Sequence, residues 1–349
     1  MSAESVATTL PAKRQWKPIM GPAPHSEPWY ALRVYDPDRK GREVVIGASE
    51  AAAACNLSPY SSALQLFLEK RGQLQTWQPD PEAKERMEFG LRVESLVLDA
   101  YADREDCEIE KQLPMFFHPE HAFCTATPDG IAHRIEDQWC VDAKNSNWRM
   151  FDETGESVHR YGQAGTDQVP ITNLCQAQQQ MSVMGLDRCD FPVLKDGNKL
   201  LIYTVQRNDD LIAQIIAAEK ELYERILRND PPEPNFEHTG TVKVLSQMFG
   251  CKVGEVVSLT ETESDLWRKY EQLGITEKEA REEREEIKAK LLWSLGEAEV
   301  GRFPDIAMEL KRTVVKDSLI TEKDVQDLMA KVGQVGRKGH IRLTARKVK

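Results

Sequence analysis

The chain has 349 residues, 40% of them hydrophobic and 30% charged, with a formal net charge of −11. That length suits one main domain with an appendage, and the ordinary globular composition contains no apolar run long enough to span a bilayer, so no membrane partner is expected. Seven scattered cysteines without a C-x-x-C pair argue against a disulfide framework or a zinc or iron–sulfur site, and the acidic total weakens the expectation of a nucleic-acid partner without removing it, because phosphate contacts depend on where Lys and Arg cluster.

Residues 1–28 carry Pro22, Pro24 and Pro28 with little apolar periodicity, which predicts a flexible leader. Its early apolar stretch is broken by Pro11, Lys13 and Arg14, so it does not resemble a signal peptide, and the protein is expected to be cytoplasmic. Order is expected from Trp29. Ser49 predicts the N-cap of a helix entering the alanine run, and a second helix follows Pro59 and stops at Gly72. Residues 81–104 predict a long helix with Met87, Leu91, Leu98 and Tyr101 on its apolar stripe, where Glu94 takes the remaining position. An inward carboxylate is costly unless it is paired or bound to a cation, so Glu94 needs an explanation.

Residues 108–117, 123–127 and 138–143 predict three extended stretches in a meander, the last two joined through Gly130 and a polar turn at Glu136 and Asp137. Leu174, Ala177, Met181 and Met184 then recur at helical spacing up to Gly185. Two strands, 191–195 and 199–206, flank the hairpin signal Asp196-Gly197-Asn198. A helix over 209–227 ends before Pro231-Pro232-Glu233-Pro234, the expected boundary of a 29–232 core. In the 233–349 extension, one helix holds Trp267 and Tyr270, and the T-x-x-E pattern from Thr276 to Glu279 predicts the start of another with Ile287, Leu291 and Leu295. Together these predict a helical hairpin, followed by a strand over 306–314, a helix over 322–330 and a basic end with Arg337, Lys338, Arg342 and Arg346. Such a tail is more often solvated than a DNA contact, and the pair His118 and His121 is more often surface than a metal site.

Chemistry concentrates in Thr127-Pro128-Asp129-Gly130 and Val141-Asp142-Ala143-Lys144. On an extended chain Asp142 and Lys144 share a face, and a hairpin can bring Asp129 beside them. Two carboxylates and a lysine suit Mg²⁺ and phosphodiester hydrolysis, with the lysine acting on the attacking water or on charge at the phosphate. Either motif alone is an ordinary turn or strand end. Their order and spacing, with Glu94 upstream to supply a third carboxylate, favour the chemical reading.

From about Trp29 to Pro232 the chain resembles the PD-(D/E)XK nucleases, in particular their YqaJ-like and lambda-exonuclease branch. The similarity rests on Trp29-Tyr30-Ala31-Leu32-Arg33, Ile46-Gly47-Ala48-Ser49-Glu50, the G-x-x-x-E segment Gly90 to Glu94, Pro128-Asp129-Gly130, Asp142-Ala143-Lys144 and Gln176-Ala177-Gln178. The resemblance implies an α/β (α+β) restriction-endonuclease-like core, a central mixed sheet flanked by helices. It implies Glu94, Asp129, Asp142 and the Ala143 carbonyl as ligands of Mg²⁺, with Mn²⁺ able to substitute. Lys144 would act on the nucleophilic water, supported by Gln176, although a polar face including Gln178, Gln179 and Gln180 explains the glutamines equally well. The branch usually carries Glu at the position of Asp142, which puts metal preference in question.

Arg33, Ser49 and Thr127 match positions that hold a terminal 5′-phosphate. A helix starting at Ser49 would present N–H groups to such an anion, while the plainer reading makes Ser49 a cap and Arg33 surface. The implied function is a double-stranded DNA exonuclease, 5′ to 3′, of phage or prophage origin in a bacterial host. It would leave 3′ overhangs for a single-strand annealing protein and work as a homo-oligomer, with a ring one form. An endonuclease of the same fold and a noncatalytic DNA-end-binding scaffold are the alternatives.

Overall fold

The computed structural model describes residues 17–74, 81–135, 137–250, 252, 254–305 and 309–313, with isolated helical positions at 326 and 329. By compactness the chain divides into one unit ending at Gly250 and another starting at Cys251.

In chain order the first unit contains β1 (Ile19–Met20), α1 (Glu27–Leu32), β2 (Ile46–Gly47), a 3-10 turn (Ala48–Glu50), α2 (Ala51–Ala54), α3 (Ala63–Lys70) and α4 (Pro81–Glu105). These are followed by β3 (Glu108–Lys111), β4 (Phe116–Phe117), β5 (Cys124–Ala126), β6 (Gly130–Arg134), β7 (Asp137–Val141), β8 (Lys144–Ser146), a 3-10 turn (Trp148–Met150) and α5 (Ile171–Met184). The unit closes with β9 (Arg188–Lys195), β10 (Lys199–Gln206), α6 (Asp209–Arg228) and α7 (Thr241–Met248).

The main sheet runs β10-β9-β7-β6-β3, with β8 also on β9. It is mixed, because β7 and β8 run parallel to β9 while the other pairs are antiparallel. Side chains alternate across it as strand geometry requires. Ala132, Trp139 and Val141 pack with Leu98 and Tyr101 of α4, whereas Ile131 and Cys140 pack with Ala177 and Met181 of α5. Two helices therefore cover opposite faces. A second sheet, β1-β4-β5-β2, carries the parallel pair β2 and β5. Behind it Ile46, Leu64, Phe67, Leu222, Ile226 and Val244 form a separate cluster that joins α3, α6 and α7. The alanine run of α2 is buried; Ala51 and Ala52, small enough for close helix approach, pack against Cys175 of α5 and Ile215 of α6.

Several sequence expectations need correction. The stretch 108–117 is two strands in different sheets, and Gly130–Arg134, expected to be only a connection, is strand β6 between β3 and β7. Ser49 is not an N-cap: it lies inside the 3-10 turn, which Gly47 precedes, and the Glu50 carboxylate accepts the Gly47 N–H at 2.8 Å. Part of the expected leader is paired, since β1 sits on β4 and the Gly21 N–H donates to Met115 O. Residues 1–16 lie outside the described residues. The first unit continues past Pro231–Pro234 because Val244, Leu245 and Met248 of α7 pack against the α3–α6 cluster.

The second unit contains α8 (Glu261–Leu295), β11 (Val300–Arg302) and β12 (Glu309–Lys311), the two strands pairing antiparallel. The expected helical hairpin is one continuous helix of 35 residues. Its capping box is Thr260 with Glu263, and Thr276 lies inside the helix, where its hydroxyl donates to Gln272 O at 3.1 Å. Of the expected strand 306–314, Glu309–Lys311 is seen as β12; the expected helix over 322–330 is described only at 326 and 329, and the basic end lies outside the described residues. Among the described residues no helix is long and apolar enough to cross a membrane.

Candidate active site

The site forms where paired strands part. β6 and β7 pair up to Gly130 and Val141, and the next residues outward are Asp129 and Asp142. β7 and β8 pair with β9 in one register, from Val141 opposite Asp190 to Lys144 opposite Val193, so Asp142 and Ala143 interrupt an otherwise continuous strand. The Asp142 N–H still donates to Asp190 O at 2.9 Å. Across the fork the Ala143 N–H donates to Asp129 Oδ2 at 2.8 Å. Gly130 is required at this point, since a Cβ there would stand 2.6 Å from Ile109 Cγ2 of β3.

Asp142 and Lys144 share a face, as alternation predicts, and form an ion pair through Asp142 Oδ1. Gln176 and Gln180, one turn apart on α5, each donate to Asp142 Oδ2 at 2.6 Å. Gln180 is a site residue that sequence reasoning left within a generic polar face. The i, i+4 spacing from Gln176 was the available signal. Gln178 and Gln179 turn elsewhere, to Gln206 O and to Ile46 O and Thr125 O.

Glu94 arrives from α4, one turn before Leu98, and is half-buried with no hydrogen bond or ion pair among the described residues. Burial raises its pKa, Asp142 adds to the shift, and Lys144 opposes it. Asp129 is pushed well above the usual carboxylate range by burial and then by Asp142, with Glu94 adding to a shift that Lys144 and the Ala143 N–H only partly counter. Burial disfavours the Lys144 charge, yet Asp142 and Asp129 outweigh it and hold its pKa above the ordinary value.

These groups line two adjoining cavities that share His25, Leu91 and Glu94. The larger, about 590 Å³, is bordered by Glu94, Asp129, Gln176 and Gln180, and by Arg33, Ser49 and Thr127. The smaller, about 330 Å³, is bordered by Glu94, Ala143 and Lys144. The expected site residues thus border one or other of these adjoining cavities, except Asp142, which is buried behind Lys144 and the two glutamines and lines neither. Sequence reasoning missed His25, which lines both cavities.

Among the described residues no three Asp, Glu, His or Cys side chains close on one point as a ready metal cage. The reason is visible: Asp142 spends its oxygens on Lys144 and two glutamines, and Glu94 reaches the fork from the opposite face of the sheet. The donor set still fits a hard divalent cation. Glu94 and Asp129 are carboxylates with raised pKa and few partners, beside a third acid, and a cation is what would relieve them.

A mixed sheet flanked by helices, with an acid pair and a lysine where two strands part and a further acid on the covering helix, defines the PD-(D/E)XK class of fold. Residues 35–187 match the family described as the YqaJ-like viral recombinase domain. The uncharacterized protein YqaJ of Bacillus subtilis (strain 168) is 22% identical over 260 residues, covering 72% of this chain and 76% of its own. Among solved structures, an alkaline exonuclease from Laribacter hongkongensis is 18% identical with a TM-score of 0.43, covering 59% of this chain and 94% of its own. A phage-related exonuclease from Haemophilus somnus 129PT is 12% identical with a TM-score of 0.36, covering 53% and 96%.

Proposed function

We propose that the chain is a divalent-metal-dependent nuclease that shortens double-stranded DNA from its ends in phage-type recombination. The observation that carries this reading is the meeting of Asp129, Asp142 and Lys144 at the strand fork, under Glu94 and open to a cleft. Glu94, Asp129, Asp142 and the Ala143 carbonyl would hold Mg²⁺, with Mn²⁺ as substitute. When bound, such an ion supplies positive charge to the phosphate and acidifies water. Gln176 and Gln180 fix Asp142, which in turn fixes the Lys144 ammonium. That ammonium can orient the attacking water and offset negative charge growing on the phosphate. Arg33, Ser49 and Thr127, along the same cleft, take the terminal 5′-phosphate. Digestion runs 5′ to 3′ and leaves a 3′ overhang for a single-strand annealing protein. The working form is a homo-oligomer in the cytoplasm of a bacterial host.

The test offers linear and closed circular duplexes, labelled at the 5′ or 3′ end, with Mg²⁺ or a chelator. Linear DNA should lose 5′-strand nucleotides only with the metal, and circular DNA should persist. Asp129→Ala should cut the rate by at least about 10²-fold, the scale of losing one key electrostatic group. Equal digestion of circles would point to an endonuclease, and undiminished activity of Asp129→Ala would remove the site.

A further inference from the structure

The wall behind the cleft contains a charge cluster to which no role has been given. Glu50 Oε1 lies 2.8 Å from Arg33 Nη2, while Glu50 Oε2 accepts from Lys70 Nζ at 2.7 Å and from the Gly47 N–H at 2.8 Å. Lys70, on α3, is buried, and Glu50 is its ion-pair partner. The Arg33 guanidinium also lies 4.5 Å over the Trp29 ring. A Cβ on Gly47 would stand 3.0 Å from Arg33 Nη1, so the guanidinium packs against the bare backbone and would have to give way slightly to any larger residue there.

Arg33 is therefore held on one face by Trp29, on one edge by Glu50 and along its flank by Gly47. Its remaining donors serve the cleft that it lines. A guanidinium fixed in this way loses little freedom on meeting a phosphate, for which its planar fork is suited. Lys70 matters for charge. A lone Arg33–Glu50 pair would be neutral and a poor anion receptor, whereas Arg33, Glu50 and Lys70 together carry one net positive charge. The cluster remains ionised at low pH: burial alone would raise Glu50, but Arg33 and Lys70 overcome it and hold its carboxyl at about 2.

We propose that Glu50 and Lys70, with Gly47, form a positioning clamp that fixes Arg33 for a terminal phosphate, so preference for phosphorylated ends is set in the wall behind the cleft. The proposal rests on the reading of Arg33 as a 5′-phosphate contact. Glu50, Lys70 and Gly47 act through Arg33 and need not touch DNA.

The test compares kcat/KM on two linear duplexes, with Mg²⁺, that differ only in a 5′-phosphate or a 5′-hydroxyl. General damage lowers both values, so their ratio reports the clamp. Wild type should favour the phosphate. Glu50→Gln should reduce the ratio about tenfold or more, and Gly47→Ala, which makes the guanidinium give way only slightly, about threefold, since misplacing a positioning group by about 1 Å can cost about 10²-fold. If Glu50→Gln does not fold because Lys70 loses its counter-charge, Gly47→Ala decides, as it keeps all three charges and moves only the guanidinium. A wild-type preference that persists undiminished in a folded variant overturns the clamp and leaves the phosphate site standing. A wild type indifferent to the phosphate overturns the phosphate site, and the clamp with it.

Discussion

Glu219 is a fully buried acid on α6 with no ion pair of its own among the described residues. It accepts the Cys124 thiol at 2.8 Å through Oε2, and both its Oε1 and the neighbouring Gln179 Oε1 lack a donor. Burial raises its pKa from 4.5 to about 8, with Glu50 adding and Cys124, Lys70 and Gln179 opposing. The folded protein thus holds a proton that the unfolded chain has released by neutral pH. This contribution to stability is fully present below pH 4.5 and is lost as pH rises through about 8; it is on the order of 5 kcal/mol. Glu219→Gln keeps the shape and removes the ionisation. Its Tm should therefore fall less than that of wild type between pH 5 and 9, and the variant should be the more stable at the upper end. Parallel pH–Tm curves for the two proteins would show that Glu219 does not titrate in this window.

At the same scale, sequence legibility followed chemistry that is local. Asp129, Asp142 and Lys144 could be read because alternation on a strand and a hairpin partner suffice to bring them together, and the structure pairs Asp142 with Lys144 and bonds Asp129 to Ala143. Glu94 could be picked out as an acid on an apolar stripe. Glu50 and Lys70 could not, and Gln180 had only its i, i+4 spacing from Gln176 to mark it. Their partners are Arg33, Asp142 and Glu50 itself, distant in sequence or on other elements, and nothing in a charged residue's own neighbourhood says which carboxylate it will meet.

Among elements, α5, the β9–β10 hairpin and α6 were legible because period and punctuation agree: Gly185 ends one helix with φ +70°, and Asp196 and Gly197 take positive φ in the turn. β6 was hidden because its five residues lie between two turn signals and include Gly130, which normally marks a break. In α8 the sequence pattern misled in the other direction. A capping-box pattern and a glycine can both sit inside a helix when the flanking residues are good helix formers, and Thr276 then uses its hydroxyl on Gln272 O rather than as a cap. The two accounts of Gly274 differ in sign. In a continuous helix, with nothing near the position an added Cβ would take, Gly274→Ala should stabilise α8 by about 1 kcal/mol, or ~fivefold slower hydrogen exchange of its central amides. In a turn the same change would strain the chain and speed exchange. Slower exchange in the full-length protein supports the single helix, and faster exchange supports the hairpin.

For the molecule as a whole, a net charge of −11 must be reconciled with the polyanionic substrate proposed above. Part of the acid excess lies in α8 of the second unit, whose ten acidic residues outnumber seven basic ones. The cleft's own acids are a different matter, since Glu94 and Asp129 carry raised pKa values and are most costly to the fold when ionised. Their contribution to stability is present at low pH and is lost as pH rises through the raised values. A cation that binds only the folded site offsets that loss, so Mg²⁺ should raise Tm, and the rise should grow with pH as the two carboxylates give up protons. At a free Mg²⁺ concentration ten times its Kd the gain is about 1.4 kcal/mol, enough for a shift of a few degrees in a protein of this size. Asp129→Ala should abolish the Mg²⁺ shift while raising the metal-free Tm at alkaline pH, and chelation should return wild type to its metal-free value. An equal Mg²⁺ shift in Asp129→Ala would place the ion elsewhere, whatever the variant's activity on DNA.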